Sequence, residues 1–168
     1  MLREPLTGQG MRMDQLVAAG RLALRQTSNS PATWGVYEAD REICAVERHY
    51  GSWRQLWQPY YVVAIGGRRF RTCKVRRWPF VVQVQAADEQ PIATATDMQV
   101  LEYGGRRYQL KRDLGPTSFS RVRDETGADL LKFSYGGADL VYVESIEVAQ
   151  PVEAGLLAVA TALAFAHV

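Results

Sequence analysis

Pro151-Val152-Glu153-Ala154-Gly155-Leu156-Leu157-Ala158-Val159-Ala160-Thr161-Ala162-Leu163-Ala164-Phe165-Ala166-His167-Val168 is the one long helix-like apolar run in a chain otherwise broken every few residues by turn signals. Beyond Pro151 its only strongly polar side chains are Glu153, Thr161 and His167. A helix built from it has no hydrophilic face, so protein or lipid must enclose it. At 1.5 Å per residue, positions 152–168 span roughly 25 Å, short of a hydrocarbon core of about 30 Å and of the ~20 residues that usually cross one. Gly155 and the alanines at 154, 158, 160, 162, 164 and 166 keep the helix thin and only mildly hydrophobic, which suits close packing against side chains better than partition into lipid. Pro151 fits the first helical position, where a missing N–H costs nothing. The expectation is a core helix over 151–167, not a membrane anchor.

Upstream, glycine pairs separate apolar segments. Gly66-Gly67 follows Tyr61–Ile65, Gly104-Gly105 follows Val100–Tyr103, and Gly136-Gly137 follows Leu131–Tyr135. Two-residue hairpin turns of the primed types need positive φ, which glycine reaches without a Cβ clash, so each pair predicts an antiparallel hairpin. Arg123–Asp129 carries similar turn chemistry in Asp124 and Gly127. Alternation supports the strands between: Tyr108 and Leu110 oppose Arg107, Gln109 and Lys111, and Leu131, Phe133 and Tyr135 oppose Lys132 and Ser134. Alternation fails within 68–77, which predicts a bulge. About twelve strands are expected, near 21–27, 33–38, 42–49, 60–65, 68–76, 79–86, 91–96, 98–103, 106–112, 118–124, 129–135 and 139–148. Residues 14–26 read either as a short helix capped by Asp14 and running to Ala19, or as a strand through Leu22 and Leu24.

A chain of 168 residues, 47% hydrophobic and 23% charged, accommodates one well-buried core. The expected organisation is an N-terminal arm or short helix over 1–20 and a single domain over 21–168. Residues 1–14 lack the apolar core of a signal peptide, and Cys44 and Cys73 read as two free thiols; both point to a cytoplasmic protein, peripheral at a membrane if it meets one at all. The echo between Ile65-Gly66-Gly67-Arg68-Arg69-Phe70 and Tyr103-Gly104-Gly105-Arg106-Arg107-Tyr108 reflects similar hairpins choosing similar turns, and falls short of a repeat protein.

About twelve strands in a meander, the Asp124-Glu125-Thr126-Gly127 turn and a final helix starting Pro151-Val152-Glu153-Ala154-Gly155-Leu156-Leu157 together resemble the tubby-like superfamily. That group holds the tubby C-terminal domains, the plant LURP-one-related proteins and the phospholipid scramblases. Over roughly residues 20–168 the resemblance implies a mainly β fold: a closed antiparallel β-barrel wrapped around its hydrophobic C-terminal helix. It also implies business with phosphoinositides or other phospholipids. It carries no individual site residue over, and the scramblase-type acidic calcium segment and proline-rich arm are absent from this sequence, which speaks against calcium-dependent lipid movement.

Charge gives the strongest functional hint. Arg48, Arg54, Arg68, Arg69, Arg71, Lys74, Arg76 and Arg77 occur between Arg48 and Ala87 with no Asp or Glu, although the net charge is only +2. Arg68, Arg69, Arg71, Lys74, Arg76 and Arg77 on one hairpin could present a basic patch to anionic headgroups or another phosphate ligand, with Trp78 and Phe80 as interfacial aromatics. The competing reading makes these arginines a solvated strand face paired with carboxylates from the acidic second half. Nucleic acid is a poorer client, given the modest net charge and the absence of any RNA-module signature. A protein-interaction barrel without lipid activity is the alternative function.

Catalytic material is scarce. His49 and His167 lie far apart in sequence, and His167 suits the negative end of the helix dipole. Cys44 and His49, five apart on a strand, face opposite ways. Cys44, His49 and Cys73 lack zinc-site spacing, so no metal or cofactor is expected. Ser118 and Ser120 follow Gly115-Pro116 without a nucleophile-elbow pattern. Trp53 and Trp57 read as core filling or, failing that, as the lining of a small pocket at an open barrel mouth. The protein is therefore expected to be a non-enzymatic binding module.

Overall fold

Two of the glycine pairs form the corners they predict. Gly66 and Gly67 have φ of 58° and 75°, and Gly104 and Gly105 have 61° and 75°, the two positive values that a type I′ turn needs. The computed structural model describes residues 11–50, 59–112, 119–136 and 142–166. In chain order these form β1 (Leu16–Val17), β2 (Gly20–Asn29), β3 (Ala32–Glu38), β4 (Arg41–His49), β5 (Tyr60–Ile65), β6 (Arg68–Arg76) and β7 (Val81–Gln85). There follow β8 (Pro91–Thr96), β9 (Val100–Tyr103), β10 (Arg106–Lys111), β11 (Arg121–Arg123), β12 (Asp129–Gly136), β13 (Tyr142–Val148), β14 (Val152–Glu153) and α1 (Ala154–Ala166). Gly137, the second residue of the third glycine pair, and the predicted roles of Trp53, Trp57, Ser118 and His167 lie outside the described residues.

Strands β2 to β13 pair antiparallel, each with its sequence neighbour, and β13 closes on β2 through Val148↔Gly20 and Ser145↔Ala23. The result is a closed barrel of 12 strands with α1 running through it. Closure removes every free edge from the main sheet. Along the strands, side chains alternate between lumen and exterior; Trp34, Val36, Cys44, Val46, Val63, Phe70, Val82 and Val84 all point inward and are buried. The helix they surround is buried continuously from Ala154 to Phe165. Phe165 meets Trp34 at 4.8 Å and Tyr61 at 5.9 Å between ring centroids. Thr161, the polar residue in mid-helix, bonds its hydroxyl to Leu157 O at 2.7 Å, so its burial leaves no donor unmet. No helix among the described residues is long and apolar enough to cross a membrane.

Pro151 does not open the helix. Val152 and Glu153 first pair with β1, as Val17↔Val152 and Leu16↔Glu153, and α1 begins only at Ala154. The same N-terminal segment caps the helix: Ala154 N donates to Gln15 O at 2.8 Å and Gly155 N to Met13 O at 2.9 Å. These bonds satisfy two amides that a helix start leaves open. They also overturn the short helix from Asp14 to Ala19, because Gln15 closes a turn on Arg12 and the chain then extends into β1. Gly155 lets the barrel wall approach the helix start; a Cβ there would collide with the Tyr103 hydroxyl and sit 3.1 Å from Met13 Cβ. The predicted bulge lies in β6, where the register against β7 shifts between Lys74 and Arg76.

The fold thus has two unlike ends. At one, α1 starts beneath β1, β14 and the glycine turns. At the other, where β4 meets β5 at His49↔Tyr60 and β6 meets β7 at Arg76↔Val81, α1 finishes at a mouth shared by Ala166, Tyr60, Thr72, Lys74 and Val82.

Candidate membrane-contact site

Residues adjacent in sequence are separated by strand geometry. From Arg68 to Arg76 the strand rises roughly 26 Å at about 3.3 Å per residue, so the six predicted cations cannot form one patch. Arg68 sits at the helix-start end, its Nη1 3.6 Å from Met13 Sδ and its guanidinium 4.8 Å above the Phe70 ring. Arg69 faces outward and pairs with Glu47 at 3.6 Å. The same Glu47 oxygen contacts His49 Nε2, and the carboxylate is buried, which ties Arg69 into the wall. Arg71 also faces outward and lies 6.0 Å from the centre of the Tyr60 ring. A cleft of about 340 Å³ beside Arg69 and Arg71 carries Glu89 on its rim, which offsets part of their charge.

Lys74 belongs to the inward row of Phe70 and Thr72 but emerges at the mouth, where its Nζ lies 6.0 Å from the Phe80 ring. It lines a cavity of about 210 Å³ together with Ala166 of the helix. Arg48 reaches the same end from β4, 5.7 Å from the Trp34 ring, and its charge opposes the effect of burial on Tyr61, whose pKa burial nonetheless raises. The last turn of α1 holds no basic residue of its own among the described positions, so Lys74, which lines the mouth beside Ala166, brings positive charge to its negative end from the wall.

The turn from β6 to β7 is different in kind. The bulge breaks alternation, and Lys74, Val75 and Arg76 are all exposed in succession. Arg77 and Trp78 follow in the open; Trp78 is 85% exposed and Val75 52%. Among the described residues no carboxylate lies within 4.0 Å of Arg71, Lys74, Arg76 or Arg77, so pairing with the acidic second half does not account for them. Phe80 departs from the expectation of an interfacial ring. It packs on the core, and its backbone exchanges hydrogen bonds with Asp97, N to Oδ1 at 3.0 Å and O from N at 2.7 Å, which turn the ring inward.

Two exposed aromatics escaped the sequence reading. Tyr50 follows β4 and Tyr142 opens β13, both at the end where α1 finishes. With Val75 and Trp78 they place, among the described residues, four of the five large exposed hydrophobics at one end of the barrel. Val75 was within reach of sequence reasoning, because a bulge in 68–77 must turn one extra side chain outward. Tyr50 and Tyr142 gave no such signal.

Both thiols are free. Cys44 points into the lumen, where burial above all pushes its pKa up to about 12, whereas His49 stands on the outer face beside Glu47. The two make no thiol–base pair. Compared with known proteins, the chain matches no family model, no curated protein and no solved structure.

Proposed function

We propose that this protein is a non-enzymatic binding module that attaches reversibly to anionic phospholipid surfaces by the barrel end where α1 finishes. One observation carries the reading: the β6–β7 turn exposes Val75 and Trp78 together with Arg76 and Arg77, and among the described residues no carboxylate lies within 4.0 Å of those cations. An exposed indole beside unpaired guanidinium groups suits the headgroup layer, where the ring is half-buried, its N–H stays wet and the cations meet phosphate. Lys74, Tyr50 and Tyr142 extend the contact around the mouth. The barrel-around-helix architecture supports kinship with tubby-like proteins, and we place the protein at a cytoplasmic leaflet on that basis.

Co-sedimentation with phosphatidylcholine vesicles, with and without phosphatidylserine or a phosphoinositide, tests this. Association is expected with the anionic vesicles only and should weaken as salt rises. Each cation near such a surface contributes about 1 kcal/mol. Arg76→Gln with Arg77→Gln should therefore lower the partition coefficient roughly thirtyfold, and Trp78→Ala should lower it further. Failure to bind anionic vesicles at low salt would sink the proposal and leave the protein-interaction module as the better reading.

A further inference from the structure

At the opposite end, β1 and β14 form a ribbon whose outer side carries Leu16 and Glu153, paired directly across from each other. Between this ribbon and the β9–β10 hairpin lies a cavity of about 420 Å³, within the size range of small-ligand sites. Leu130 and Leu156 line its apolar part, with Leu16 at the lip. The 65% exposure of Leu16 is otherwise unexplained, as among the described residues it is the one large exposed hydrophobic at this end.

The polar lining holds both signs of charge, with Arg106 interacting with the Tyr108 hydroxyl. Arg106 and Glu153 both border the cavity, yet among the described residues neither has an opposite charge within 4.0 Å. Asp124, also in the lining, accepts from Thr126 N, Thr126 Oγ1 and Ala128 N through Oδ1 alone, so it stays anionic and adds a second carboxylate to the cavity. Tyr103 and Tyr108 line the same cavity. Burial and the nearby Glu153 raise both phenol pKa values, although Arg106 acts against this at Tyr108, so both rings present neutral hydroxyl donors.

This combination is selective. A simple anion meets Glu153, a simple cation meets Arg106, and an uncharged apolar molecule desolvates both charges without replacing their water. A molecule bearing both charges and an apolar group satisfies every part of the lining. We propose that the cavity binds a small zwitterion with an apolar side chain, an α-amino acid or a dipeptide, with Arg106 on its carboxylate, Glu153 on its ammonium and the leucines on its side chain. The site is remote from the β6–β7 turn, so it stands or falls independently of membrane binding.

Isothermal titration of the full chain with L-leucine and with L-leucyl-L-leucine tests it, the two probes differing in the separation of their charges. One of them should bind saturably at one site per chain. The halves, 4-methylpentanoate and 3-methylbutylamine, should bind at least about tenfold more weakly, because each leaves one charged group without its partner. Arg106→Gln and Glu153→Gln should each weaken binding about tenfold while the melting curve shows the fold intact. In a nitrogen-15 spectrum the bound probe should shift the Gly104 amide and leave that of Val75 in place. Absence of saturable binding by either zwitterion, a half that binds as tightly as the whole, unchanged affinity in both variants, or shifts confined to the other end would each overturn the proposal.

Discussion

The two ends of the barrel handle the helix in opposite ways. Where α1 starts, backbone does the capping: the carbonyls of Met13 and Gln15 receive its first amides, and β1 pairs with β14 alongside. Where it finishes, wall cations gather at the mouth: Lys74 lines it together with Ala166, and Arg48 lies over the Trp34 ring. Backbone capping is local and rigid, whereas long cations remain free to serve a second partner. The closed end therefore reads as structural, with a cavity on its outer side, and the open end is the one dressed with exposed Trp78, Val75, Tyr50 and Tyr142. Stability and surface chemistry are thereby separated along the axis of one helix, and substitutions at the two ends should behave differently.

Removing what joins the ends should have the largest effect. Leu156, Leu157, Val159, Leu163 and Phe165 are all fully or almost fully buried. At about 1.5–3 kcal/mol each, their burial matches the whole net stability of an ordinary domain. Deleting residues 152–168 should abolish cooperative unfolding in urea and leave no folded barrel. A truncated chain that still melts cooperatively would overturn the core role of α1 and the kinship proposed from it.

A subtler change should mark the closed end. In Gly155→Ala the new methyl collides with the Tyr103 hydroxyl and crowds Met13. Overpacking of this sort costs about 1–3 kcal/mol, visible as a lower urea midpoint. Trp78→Ala at the open end should change the unfolding free energy by no more than about 0.5 kcal/mol, since the ring supports no packing. Equal losses at both sites would dissolve the contrast between the ends.

Most of the barrel was legible in the sequence, because the signals that build it are local. Gly66-Gly67 and Gly104-Gly105 carry their own turn geometry, and alternation such as Tyr108 and Leu110 against Arg107 and Gln109 sets the face of each strand. β1 and β14 were not legible: two-residue strands show no alternation, and their pairing joins segments more than a hundred residues apart. That long-range pairing is also why Pro151 and Asp14 misled. The candidate site was half legible. A run of cations is visible in sequence, but strand rise carries Arg68 to one end and Arg76 to the other, and Glu47 claims Arg69 from a distant strand. Phe80 turned inward through a bond to Asp97 that no spacing announces.

The smallest effect asks how far the open mouth admits water. Cys44 lies inside the wall between the two ends, and burial raises its pKa from 9.0 to about 12, with Glu42 adding to the shift. A thiol whose folded pKa lies above its unfolded value contributes stability that is complete below about pH 9 and is lost as the pH climbs towards 12, because only the unfolded chain releases the proton in that window. The slope is at most about 1.4 kcal/mol per pH unit and is reached only above the unfolded pKa, so about 1.4 kcal/mol should disappear between about pH 8 and pH 10. Tyr37, Tyr61, Tyr103 and Tyr108 have raised values too, but their ordinary pKa of 10.0 keeps their losses to the upper edge of this range. Urea unfolding at both pH values should show the decline in the native chain and a flatter profile in Cys44→Ala, whatever constant offset the lost sulfur introduces. If the two chains decline in parallel, the thiol ionises as readily folded as unfolded. Water would then reach Cys44, and the lumen would be open well below the mouth that Lys74 and Arg48 guard.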